Sequence, residues 1–168
     1  APLVSVEAHL SNGLPAFSVV GLPESSVRES RERVRSALIC SHFKWPDRRI
    51  TVSLAPAELP KSGGRFDLPI ALAILVASGQ LTANALTNRE FFGELGLDGS
   101  LRQCRGLLAA VRAATLDQRA VILPAAQAKT MAVVPGSRVT AAEDLLSACG
   151  LIKAKTLAVI KVKADTTS

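Results

Sequence analysis

A glycine-rich loop at residues 61–65, Lys-Ser-Gly-Gly-Arg, contains the side chains and backbone best suited to chemistry in this sequence. An apolar segment that is typical of a helix follows from Leu68, and backbone N–H groups at the start of a helix attract anions. Lys61 and Arg65 would add positive charge around a phosphate. Asp67 opposes this use, because a carboxylate at the N-cap satisfies the same N–H groups and repels an anion. The favoured interpretation is a glycine-rich turn before a helix capped by Asp67, with phosphate binding as the alternative.

Enzyme chemistry has little support in the same loop. Lys61 and Ser62 are neighbours, and neighbouring side chains on an extended segment point apart, so they make a poor base and nucleophile pair. The P-loop pattern G-x-x-x-x-G-K-[ST] does not occur in the 168 residues, and we expect this chain not to hydrolyse ATP. Neither His9 nor His42 lies at metal-site spacing from a cysteine, so we predict no metal site.

Three arginines, Arg28, Arg31 and Arg35, fall on one face of a helix predicted at residues 25–41. Such a row could contact the phosphates of a nucleic acid. Four more basic residues would extend this surface if the fold brings them near, namely Arg48, Arg49, Lys61 and Arg65. The alternative is an ordinary solvated helix face, and the net charge of +6 suits both interpretations.

The composition predicts one globular domain. A chain of 168 residues with 48% hydrophobic content can bury a single core. The longest apolar run, residues 68–77, is about half the roughly 20 residues needed to cross a bilayer, so we expect no membrane partner. Three cysteines without a C-x-x-C pair argue against a disulfide framework. We therefore expect a cytoplasmic location.

Hydrophobic periodicity places strands and helices along the chain. Strands are predicted at 3–10, 14–20, 50–54 and 91–97, helices at 25–41, 68–78 and 106–116, and shorter elements at 121–123, 125–131, 133–134 and 141–149. Ser11, Asn12 and Gly13 mark a turn, which predicts that the first two strands form a hairpin. Strands clustered early, with helices interspersed unevenly, indicate an α+β domain rather than a doubly wound sheet.

Five sequence blocks resemble the N-terminal domain of the ComM-type, Mg-chelatase-like AAA+ ATPases. They are S-N-G-L-P at 11–15, V-G-L-P-E at 20–24, R-V-R-S-A-L at 33–38, L-A-P-A-E-L-P-K-S-G-G-R-F-D-L-P-I-A-L-A-I-L at 54–75 and F-G-E-L-G-L-D-G-S-L-R at 92–102. The resemblance implies a Lon-protease-like fold of the ribosomal protein S5 domain 2-like type. We expect this domain at residues 1–150 and, at 151–168, a basic tail or linker toward an AAA+ domain.

The same resemblance implies where a Lon-type protease would carry its catalytic pair. In those enzymes a serine at the start of the helix after the P-K-x-G loop is the nucleophile, and a lysine from a later helix activates it. The serine position falls at or beside Asp67 and the lysine position at about Ala110. Neither side chain can perform its step, so we expect no catalytic residue and no cofactor in this chain. ATP and Mg are implied for the AAA+ part.

The function expected for this chain follows from the resemblance to this family. The resemblance implies a ring of AAA+ subunits that acts as a DNA helicase and promotes branch migration during natural transformation. We expect this domain to engage DNA or to help ring assembly, with DNA, its own AAA+ domain and neighbouring subunits as partners. The alternatives are an oligomerisation or regulatory module without DNA affinity and a Lon-type peptidase.

Overall fold

A computed structural model describes residues 5–55, 64–82 and 88–153 of the chain. The described residues form, in order, β1 (Ser5–Ser11), β2 (Ala16–Val20), α1 (Glu24–Cys40), β3 (Arg49–Ala55), α2 (Asp67–Ala77), β4 (Arg89–Phe91), β5 (Glu94–Leu95), β6 (Leu101–Arg102), α3 (Leu107–Leu116), β7 (Ala120–Pro124), α4 (Ala125–Met131), β8 (Val139–Ala142) and α5 (Leu145–Lys153). The predicted α+β class is confirmed. Of the tail predicted at 151–168, residues 154–168 lie outside the described residues, and α5 extends through residues 151–153.

The first sheet has the order β1-β3-β2, so the predicted hairpin between the first two strands is wrong. Strand β3 lies between them, antiparallel to β1 and parallel to β2. Ser11 and Ala16 both pair with Arg49, so the link at residues 12–15 passes over the start of β3. The physical reason is burial. Strand β3 buries Ile50 and Val52 completely and therefore takes the central position, which a turn signal between β1 and β2 cannot report.

The second sheet is parallel, with the order β4-β7-β8. All five residues of β7 are buried, as expected for a central parallel strand. The predicted strand at 91–97 is wrong in extent, because it divides into β4 and β5, which belong to different sheets. Gly93 lies at the division with φ of +155°, and a Cβ there would meet the Leu101 side chain at 2.5 Å.

Helix α2 lies at the centre of the domain. It is apolar nearly all round, which predicts a central helix, and Leu68, Ile70 and Ile74 are fully buried. Helix α1 and the first sheet pack around it to form the main core. A second, smaller core lies between α3 and β7. Within the described ranges no helix is both long and apolar enough to cross a membrane.

Candidate functional site: a buried ion pair, an arginine face and a cleft

Asp67 lies at the start of α2, but it does not cap the helix as predicted. Phe66 occupies the N-cap position, and no side chain there bonds a helix N–H group. The carboxylate of Asp67 turns toward α1 instead. Its Oδ2 accepts from Arg33 Nε at 2.6 Å and from the Leu95 backbone N–H at 3.1 Å. Its Oδ1 accepts from Ser30 Oγ at 3.1 Å and from Arg33 Nη2 at 3.2 Å.

This ion pair is buried on the carboxylate side, since Asp67 is 1% exposed. Burial raises the pKa of the Asp67 carboxyl, while the hydrogen bonds from Arg33, Leu95 and Ser30 act to lower it. The hydrogen bond to Asp67 raises the pKa of Arg33, which stays charged. Both carboxylate oxygens are occupied, so Asp67 fastens α1 and β5 to α2.

Arg33 was not among the residues predicted to form a site, although its spacing along α1 carried a signal. The inward stripe of α1 contains Ser30, Val34, Ala37 and Leu38, which are all buried. Arg33 stands three residues after Ser30 and four before Ala37, so it belongs to the same stripe. A partly buried arginine on this stripe requires a carboxylate partner, and Asp67 is the acidic residue of the apolar helix α2. The two features together could have predicted the pair.

The arginines predicted to contact DNA on α1 do lie on one exposed face. Arg28, Arg31 and Arg35 are all exposed, on the side of the helix away from the core. Arg31 pairs with its neighbour Glu32 at 3.1 Å, in a contact open to solvent. Within the described part of the chain, Arg28 and Arg35 form no ion pair. The face is therefore free to meet an anionic partner.

The other predicted contacts do not join this face. Arg48 and Arg49 are exposed at the start of β3, where Arg48 Nη2 donates to the Leu10 carbonyl at 3.4 Å. No described contact connects them with the arginines of α1. Lys61 lies outside the described residues. Arg65 is half-buried and packs over the rings of Phe66 and Phe92, at 5.1 and 5.6 Å from their centroids.

Arg65 lies at a cleft of about 630 Å³. The cleft is bounded by β1, α2, β4 and α3, and Ala110 of α3 lines it together with Phe66. The structure therefore brings the predicted lysine position, Ala110, to the same cleft as the residue before Asp67. Ala110 itself is buried against the second core. The carboxylate of Asp67 is held by α1 and β5, as its hydrogen bonds show.

Cys104 lies before α3, close to this region. Burial raises the pKa of its thiol to about 11, so the group is a neutral thiol at pH 7. The Gln127 side chain bonds both the backbone N–H and the carbonyl of Cys104, at 3.0 and 2.9 Å. Among the described residues no cluster of histidine, cysteine and acidic side chains could hold a metal ion.

Comparison with known proteins identifies the family. Residues 6–127 match the family model described as subunit ChlI of Mg-chelatase. The chain belongs to this ChlI family. The matched region contains the Arg33–Asp67 pair, the arginine face of α1 and most of the cleft, and it ends inside α4.

Two relatives of this ChlI-family chain place it within longer proteins. It is 51% identical over 146 residues to the competence protein ComM of Haemophilus influenzae, which covers 87% of this chain and 29% of that protein. It is 44% identical over 155 residues to the uncharacterized protein YifB of Escherichia coli, which covers 92% of this chain and 31% of that protein. The chain thus spans about three tenths of these relatives, and the predicted relation to ComM-type, Mg-chelatase-like proteins is confirmed.

Proposed function

We propose that this chain is the N-terminal accessory domain of a ComM-like AAA+ ATPase and that it binds DNA through the arginine face of α1. The observation that carries the proposal is the exposure of Arg28, Arg31 and Arg35 on one side of a helix whose other side is buried. The relative named as a competence protein supports a role in handling DNA. The rest of the protein would supply ATP hydrolysis with Mg, the ring of subunits and the helicase activity that promotes branch migration.

The geometry of α1 suits a phosphate backbone. Seven residues separate Arg28 from Arg35, which at 1.5 Å per residue is about 10 Å along the helix axis. Phosphates of one DNA strand advance about 3.4 Å per residue along the duplex axis, so the row covers about three of them. Arg28 and Arg35 lie almost in line, since seven residues make nearly two full turns. Guanidinium groups in such a row can each contact a separate phosphate.

A salt-dependent binding assay tests this proposal. Fluorescence anisotropy would follow the binding of single-stranded and forked DNA to the protein at several salt concentrations. Changing Arg28, Arg31 and Arg35 together to Glu should abolish binding at moderate salt. Changing all three together to Gln should lower the magnitude of the slope of log K against log salt by about 2, because each lost contact with a single strand contributes about 0.7.

A matched control separates a specific surface from general charge. The residues Arg102, Arg105 and Arg112 are also exposed and lie outside α1, so changing them to Glu alters the net charge by the same amount. This control variant should keep most of the affinity. Equal losses in the two variants, or no binding at low salt, would contradict a DNA site on α1.

Ring assembly without DNA affinity is the alternative function. Its support is exposed apolar surface, since Leu116 is 85% and Val133 is 76% exposed. The two residues lie in neighbouring segments, because a Cβ added at Gly136 would stand 3.5 Å from the Thr115 side chain. Changing both to Glu should then lower the oligomeric mass of the full-length protein in analytical ultracentrifugation. An unchanged mass would leave this surface without a role in assembly.

A further inference from the structure

Two strand edges face each other across the cleft of about 630 Å³. Consecutive residues 5–9 line one side of it and consecutive residues 89–92 line the other. Successive side chains of a strand point to opposite faces, so an unbroken run of lining residues means that the strand presents its edge. In the described part of the chain, β1 pairs with β3 alone and β4 with β7 alone. Among the described residues, no strand pairs with the cleft-facing edge of either β1 or β4.

The floor of the cleft is apolar. Helices α2 and α3 provide it, through Pro69, Leu72, Ala73, Val76, Ala110 and Ala113. Arg65 stands at one margin, where it packs on two phenylalanine rings and its Nε has no hydrogen-bond partner among the described residues. An extended peptide segment with an accepting oxygen can bind where apolar side chains lie between two outer strands and an arginine stands beside them.

We infer that a segment of the full-length protein outside residues 1–168 lies in this cleft as an additional β-strand. It would pair with the outer edge of β1, bridge the gap to β4 and place apolar side chains on α2 and α3. One carboxylate or carbonyl oxygen of the segment would accept a hydrogen bond from the Arg65 guanidinium. The segment completes one sheet from two, which removes open edges that otherwise promote aggregation.

The source of the strand follows from the length of the relatives. This chain spans 29% and 31% of the two relatives described above, so about seven tenths of such a protein lies outside it. A segment tethered to the same chain has an effective concentration in the millimolar range, which a separate partner rarely reaches. The inference depends on the family relation and is independent of DNA binding by α1.

Crosslinking in the full-length protein tests which segment fills the cleft. A photoreactive benzoylphenylalanine would replace Glu90, the middle residue of β4, which lines the cleft. Mass spectrometry of the irradiated protein should identify a crosslink to one segment outside residues 1–168 of the same polypeptide. A crosslink to residues within 1–168, to a neighbouring subunit or to no polypeptide would overturn the inference.

Hydrogen exchange with a cleft-filling variant gives a second measurement. Half of the β1 amides, those not bonded to β3, should exchange at least about tenfold more slowly in the wild-type full-length protein than in its Ala113→Phe variant. Ala113 lines the cleft, whereas Ala109 is on the exposed side of α3, so Ala109→Phe should keep the slow exchange. Unchanged protection of β3 amides shows that the Ala113→Phe variant is folded. If the β1 amides exchanged at the same rate in the wild-type protein and in the Ala113→Phe variant, the additional strand would be excluded.

Discussion

Replacing Arg33 with Met should destabilise this domain by about 3 to 4 kcal/mol at pH 7. The substitution keeps an unbranched side chain but leaves the Asp67 carboxylate, which is 1% exposed, without its cation. Breaking a buried ion pair by removing one partner costs about 3 to 5 kcal/mol. Protonation sets an upper limit, because neutralising a carboxyl of ordinary pKa at pH 7 costs about 4 kcal/mol. The hydrogen bonds from Ser30 and Leu95 remain.

The loss should shrink as the pH falls. Burial raises the pKa of Asp67 in the folded protein, and removing Arg33 removes the largest opposing contribution. In the folded Arg33→Met variant the Asp67 carboxyl then keeps its proton to higher pH than it does in the unfolded chain. The stability of the variant therefore decreases as the pH rises through that range. At pH 5 protonation costs about 1.5 kcal/mol, and the destabilisation should fall to about this value.

Urea unfolding at both pH values measures these losses. Trp45 is the single tryptophan and packs against Phe17 at 5.8 Å, so its fluorescence reports the main core. Arg31→Met is the matched control, because Arg31 lies two residues away in an ion pair that is open to solvent. We expect it to change the stability by less than about 0.5 kcal/mol. Equal losses for Arg31→Met and Arg33→Met, or a loss at Arg33 that is the same at pH 5 and pH 7, would refute the buried-pair argument.

Two further predictions concern backbone and thiol chemistry. Gly21→Ala should destabilise the protein by more than about 1 kcal/mol, since Gly21 has φ of +108° and a Cβ there would stand 2.7 Å from the Leu54 carbonyl oxygen. Gly79 has φ of +78° but lies in open space, so Gly79→Ala should destabilise the protein less in the same urea assay. The exposed Cys40 should react first with a thiol reagent at pH 8, and Cys104, whose pKa is raised to about 11, should react far more slowly. Rapid labelling of Cys104 in a Cys40→Ser variant would contradict its burial.

The sequence allowed the strands and helices to be predicted better than their pairing. Periodicity predicts the helix at 68–78, which is α2 within one residue, and the strand at 50–54, which lies inside β3. It also predicts the exposure of Arg28, Arg31 and Arg35, because a helix face depends only on spacing. Strand order depends on which strand buries the most side chains, and a local turn signal does not contain that information.

The site was harder to predict than the fold because its contacts join distant segments. Arg65 could be grouped with the basic residues of α1 by charge, but its position is set by Phe92, which is 27 residues further along the chain. Asp67 was predicted to cap its helix because a carboxylate before an apolar run usually does so. The arginine 34 residues earlier is a stronger partner than the backbone N–H groups, and it takes the carboxylate away from them.

Three of the five blocks that relate this chain to its family meet at one carboxylate. Arg33 belongs to R-V-R-S-A-L, Asp67 to the long block at 54–75, and Leu95 to F-G-E-L-G-L, and all three join through hydrogen bonds to Asp67. Each of these three blocks therefore contributes to the packing of α1, α2 and β5. Every family member that has these residues can share this packing, whatever it binds. Fold alone does not determine function. Activity must come from surfaces that this packing leaves exposed, and the arginine face of α1 and the cleft-facing edge of β1 are two such surfaces.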